Sequence, residues 1–191
     1  MKTPTYRTIT DYRVLATMAH PLRRRLLDAL TVDGPSTASM LSDRTQQAVG
    51  NVSHHMKVLS QARLVEVAPE LARDRRERWW RIVEGSRRWS STSFDDDPAA
   101  AAVAHAASSL GLEHHTEKVR SWASRRDTAD RAWLDAAFST DSWLRLAPAE
   151  LSVLGEQIVS LLAQWSNREI PDDGVERESV FIFAHGVPAS P

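Results

Sequence analysis

The sequence contains no cysteine. That absence removes disulfides, thiolate metal sites and a cysteine nucleophile together. Long apolar runs are missing too: nothing approaches the roughly 18 consecutive apolar residues of a spanning helix. The opening, MKTPTYRTITDYR, lacks the apolar core of a secretory signal. A cytoplasmic protein without a membrane partner is the expectation. There is also no glycine-rich phosphate loop, no nucleophile elbow and no pair of carboxylates placed by a motif, so an enzyme is not expected. Net charge is almost absent, at −1 over 191 residues.

That near-neutrality conceals an asymmetry. Residues 1–90 carry 16 Lys and Arg against 9 Asp and Glu, whereas residues 91–191 carry 8 against 16. A basic half suits a polyanionic partner, and an acidic half implies a different task for the other end. With 42% apolar residues the chain has enough material for one large core or two small ones.

The basic half reads as four helices followed by a hairpin. DYRVLATMA and HPLRRRLLDALT are helical; Pro21 opens the second, and Leu22, Leu26, Leu27 and Leu30 form its apolar face. DGPS breaks the chain, and a short helix follows with Ser36 or Thr37 as its cap. A fourth helix is expected over about 48–62. LVEVA and RWWRIV alternate as strands around the charged loop PELARDRRE. Helices followed by a strand, a charged loop and a strand are the layout of a winged helix-turn-helix.

The polar, acidic stretch at 91–97 reads as a linker, dividing a domain at 1–90 from one at 98–191. In the second domain, a long alanine-rich helix is expected over about 98–126, softly interrupted by Gly111. DRAWLDAAF and the stretch from Pro148 to Asn167 are helical, SWLRL reads as a short strand and SVFIFAHG as a clear one. The expected fold class is therefore mainly α with a small β wing, followed by a mostly helical C-terminal domain with one or two short strands.

Candidate functional residues come from the helix expected over about 48–62. With 100° per residue, His55, Met56, Leu59 and Ala62 fall on the side of Val52, while Gly50, Ser53, His54, Lys57 and Gln61 fall opposite. The adjacent histidines are thus split, His55 inward and His54 outward, which disfavours a shared metal site. The outward face is small, polar and basic. Gly50 permits close backbone approach, Asn51, Ser53 and His54 can bond base edges or phosphates, and Lys57 suits a phosphate.

The run LATMAHPLRRRLLDAL … TASMLSDRTQQAVGNVSHHMKVLSQARLVEV … RDRRERWWRIV, over about residues 12–84, resembles the ArsR-type winged-helix repressors of bacteria. The most specific part is Val52, Ser53, His54 and His55, followed by Lys57, Leu59, Ala62, Leu64 and Val65. The resemblance implies that 50–57 lie on a recognition helix and that 73–78 form the wing. Three positions depart from the family pattern: Gln46 stands for the usual turn glycine, Ala48 for the usual serine cap, and Arg63 for the glycine before Leu64. The DNA-binding set expected is Gln47, Val49, Gly50, Asn51, Ser53, His54, Lys57, Arg73, Arg75, Arg76 and Arg78. Trp80 and Ile82 share one side of the second strand and Trp79 and Arg81 the other, so one tryptophan is expected in the core.

Relatives of this type include metal sensors. Here His114 and Glu117 share a helical face, but His105 lies on the opposite side, and no metal or other cofactor is expected. Trp122, Trp133, Trp143 and Trp165 supply a core or an apolar pocket for a small organic effector. Leu112, Thr116, Val119, Trp122 and Ala123 recur at helical steps and form a stripe suited to a partner helix. The expected function is a sequence-specific transcriptional repressor, acting as a homodimer on double-stranded DNA of dyad symmetry. Alternatives are a small-molecule- or zinc-responsive sensor with DNA binding as its output, an enzyme, or a protein-interaction module.

Overall fold

The computed structural model describes residues 6–74, 77–83, 86–88, 91–94 and 96–190. The chain forms two compact units, Thr3–Glu113 and His114–Pro191.

In the first unit, β1 (Tyr6–Thr8) precedes α1 (Tyr12–Ala19), α2 (Pro21–Asp33), β2 (Ser36–Thr37), α3 (Ala38–Thr45), α4 (Val49–Gln61), β3 (Val65–Val67), β4 (Trp79–Ile82) and β5 (Ser86–Arg88). The long helix α5 (Pro98–Ala123) begins in this unit and ends in the next. The helix starts follow from local chemistry. Asp11 accepts from the Arg13 N–H at 2.9 Å, His20 Nδ1 from the Leu22 N–H at 3.2 Å, and Thr37 Oγ1 from the Met40 N–H at 3.3 Å. Each satisfies a donor that the first helical turn leaves orphaned.

A three-stranded antiparallel sheet runs in the order β2-β4-β3, with Val65 opposite Ile82, Glu66 opposite Arg81 and Val67 opposite Trp80. The expected hairpin is therefore present, and β2 is an addition: Ser36 and Thr37 pair with Trp80 and Trp79 before Thr37 caps α3. A second, parallel pairing joins β1 to β5. Neither β1 nor β2 is foreshadowed by alternation, since runs of three and two residues carry no period.

Two cores hold this unit. In one, Leu26, Leu30, Leu41, Val52, Met56, Leu59, Leu64 and Trp80 bring α2, α3, α4 and the sheet together. Val52, Met56 and Leu59 are fully enclosed, as their spacing at steps of three and four dictates. Trp80 is the core tryptophan of β4, and Trp79 is half-buried. In the other core, Ile9, Leu15 and Phe94 pack with Ala100, Ala104 and Ala107 of α5. The small alanine side chains allow close approach along that stripe. Phe94 falls within the stretch expected as linker, and the first half of α5 is built into the first unit, so the two units divide at 113 to 114. Gly111 does not interrupt α5. A Cβ there would lie 3.3 Å from a terminal nitrogen of Arg24, whose Nη2 donates to the Ala107 carbonyl at 3.2 Å.

The second unit contains the end of α5, α6 (Arg131–Ala136) and α7 (Pro148–Ser166). The α7 start is secured by Glu150, which accepts from the Ala147 N–H at 2.6 Å. The strands expected at 142–146 and 179–186 do not form. Both stretches have the side chains of a strand, but a ladder also requires a hydrogen-bonded neighbour, which the described residues do not supply.

Candidate nucleic-acid interface

Helices α3 and α4 pack together across the turn 46–48. Gln46 adopts φ 55°, the left-handed conformation that reverses the chain, and its side-chain amide donates to the Asp43 carbonyl at 2.6 Å. Ser42 fixes the turn from the other side, its hydroxyl donating to the Gln47 carbonyl at 2.5 Å. Arg25 of α2 donates to the carbonyl of Thr45 at 2.8 Å, holding the last turn of α3. These bonds set the position at which α4 begins.

Along α4 the predicted division of faces is observed. Val49, Gly50, Asn51, His54 and Lys57 are exposed, Gln47 and Ser53 are half-buried, and Val52, Met56 and Leu59 are enclosed. A Cβ added at Gly50 would meet nothing within 4 Å, so no packing within the chain requires a glycine there. Asn51 Nδ2 donates to Gln47 Oε1 at 3.3 Å, which restrains both amides at the N-terminal end of the face.

His55 is half-buried, and its ring centroid lies 4.6 Å from that of His20. Desolvation holds the His55 pKa below the ordinary histidine value, and the nearby His20, Arg23 and His54 lower it further. His20 is lowered in the same way, by burial first and then by Arg23. His55 Nδ1 and Arg23 Nε are shielded from solvent without a hydrogen-bond partner. This cluster, invisible to helical periodicity, is the main feature that sequence reasoning missed; it arises because the start of α2 meets the middle of α4.

In the wing, Arg73 and Arg78 are exposed, while Arg75 and Arg76 lie outside the described residues. The base of the loop is tied by Glu77, which accepts from the Arg73 N–H at 2.9 Å and from Trp79 Nε1 at 3.3 Å. These bonds hold the Glu77 carboxyl below its usual pKa. The Arg78 guanidinium lies 5.8 Å from the Trp80 ring centroid. Arg81 pairs across the strands with Glu66 at 2.7 Å and bonds Glu70 at 2.5 Å, so its charge is locally neutralised.

Of the residues considered for a metal, His105 is exposed and His114 half-buried. Among the described residues no group of three or more His, Asp or Glu side chains is placed to hold a metal ion. Likewise no helix among them is long and apolar enough to cross a membrane.

The fold and this surface define a winged helix-turn-helix protein with a helical C-terminal region. Comparison with known families agrees at that level: residues 18–68 match a family described as a helix-turn-helix domain. The match spans α2, α3, α4 and β3, the elements that build the exposed face. No curated protein matches the chain. Among solved structures, a double mutant of Lactococcus lactis ZitR in apo form is similar at 13% identity and a TM-score of 0.30, over 80% of this chain and 84% of that one. A similarity that low carries no argument about this protein.

Proposed function

We propose that the protein is a DNA-binding transcriptional regulator of the ArsR type. It acts as a homodimeric repressor on an operator of dyad symmetry and catalyses no reaction. The observation that carries this reading is the exposed face of α4, where Gly50, Asn51, His54 and Lys57 are exposed over an enclosed row of Val52, Met56 and Leu59. A solvated helix surface has no need of a glycine with open space around it. A helix that enters a major groove does, because the backbone must come close to the base edges. Asn51, held by Gln47, suits a base edge, and Lys57 and the wing residues Arg73, Arg75, Arg76 and Arg78 suit phosphates.

Two such modules would read half-sites about 10 base pairs apart or a multiple of that spacing. The C-terminal half would hold them together, in keeping with the exposure of Leu112 and Val119 on α5, and would receive a small organic effector rather than a required metal. A gel-shift titration over genomic fragments tests the reading. The expected result is one or a few fragments bound far more tightly than random DNA at equal salt, with a dyad in the protected sequence. Equal affinity for every fragment would defeat it.

A further inference from the structure

The described residues of the unit His114–Pro191 enclose little apolar surface. Among its described residues none is buried, and Trp143, Trp165 and Ile170 are each at least 60% exposed. A unit that hides so little apolar surface gains little from folding alone and is completed by a partner. The stretch 178–187 indicates which partner.

Alternate residues Phe181, Phe183 and His185 all lie against His115, at ring-centroid distances of 5.5, 5.4 and 5.9 Å. Lys118 lies 5.4 Å from the Phe181 ring centroid. Contact at every second residue is the geometry of an extended strand laid on α5. Yet among the described residues no main-chain group of 178–187 meets another main-chain group. The intervening side chains, Val180 and Ile182, are exposed. A β-prone run with no Asp, Glu, Lys or Arg over 179–187 and an open ladder is a template for a second strand.

We propose that this segment pairs antiparallel with the same segment of a second copy, about a two-fold axis at Ile182. The sequence suits a second copy of the same segment in this register. With the axis at Ile182, Val180 faces Ala184, Phe181 faces Phe183, Ile182 faces itself, and Glu178 falls opposite Gly186. No like charges are opposed and every central pair is apolar, which favours the ladder. Moving the axis to Val180 sets Glu178 against Ile182. Moving it to Ala184 sets Val180 against Pro188, which has no N–H to donate. The pairing does not depend on DNA recognition.

The test uses the full chain and light scattering over a concentration series. Ile182→Lys and Ile182→Glu should each weaken the dimer at least about fivefold, because like charges then meet at the axis. An equimolar mixture of the two should recover it, because opposite charges then meet. Ile182→Cys introduces the only thiol, and residues directly opposite in an antiparallel pair are close enough for a disulfide. Mild oxidation should therefore give a covalent dimer, whereas Val175→Cys, exposed but outside the paired run, should not. The proposal is overturned by a monomeric parent chain, by charged variants as dimeric as the parent, by a mixture that fails to recover, or by an Ile182→Cys chain that does not cross-link. Loss of DNA binding with the cross-link intact would count against the DNA reading alone.

Discussion

On the proposed reading, Gly50 separates folding from recognition at the scale of one residue. It sits in the first turn of α4 with open space where a Cβ would go. Alanine is a better helix former by roughly 0.5–1 kcal/mol, so Gly50→Ala should leave the melting temperature unchanged or raise it. The same methyl would intrude between helix and groove, and operator affinity should fall about tenfold or more. Unchanged affinity in a gel shift would place Gly50 outside the interface. His20 and His55 make a second residue-scale case. Both have folded-state pKa values below the ordinary histidine value of 6.5, so the unfolded chain takes up protons first as pH falls. Stability should therefore hold above about pH 6.5 and decline below it, as the folded state resists the protons that the unfolded state accepts. Urea midpoints at pH 7.5 and 5.5 measure this. His55→Gln, which cannot take up the proton, should shrink the difference; an equal difference in the variant would show that the cluster does not govern it.

Among the elements, α4 and the wing have different tasks on the proposed reading. Helix α4 presents amides and an imidazole at its exposed face, whereas the wing presents guanidinium groups on a loop anchored at Glu77. If Arg73 and Arg78 meet phosphates, each contributes about 0.9 to the slope of log affinity against log salt. Arg73→Ala with Arg78→Ala should lower that slope by up to about 1.8 and weaken binding to all sequences alike. A slope equal to that of the parent would remove both residues from the backbone contacts. Asn51→Ala should instead leave the slope nearly intact and relax sequence preference. Arg81 is a poor candidate for either role, because Glu66 and Glu70 already occupy its guanidinium.

At the scale of the whole molecule, α5 is the shared element. Its alanine stripe closes the core around Ile9, Leu15 and Phe94. A chain ending at residue 94 would lose Ala100, Ala104, Ala107 and the Arg24 contact with the Ala107 carbonyl. Such a truncation should melt at a lower temperature than one ending at residue 123, although both contain every residue proposed to touch DNA. Equal melting curves by circular dichroism would show that α5 is dispensable to the first unit. The exposed α4 face lies in the basic half of the sequence, which suits a polyanionic partner.

The helices of the first unit, the hairpin and the two faces of α4 are legible in the sequence. Those features rest on local rules: caps, periods of 3.6 and 2, and turn residues. Even the departures from the family pattern were informative. Gln46 and Arg63 are the only non-glycine residues with positive φ among those described, and Ala48 caps α4 without a side-chain bond. Only the tertiary structure decided the rest. It placed His20 against His55 across 35 residues of sequence, brought β2 to β4, built the first half of α5 into the first unit, and left 179–186 without a ladder. Each of these depends on which distant segment arrives as neighbour, and a strand or a buried imidazole is completed by that neighbour rather than by its own residues.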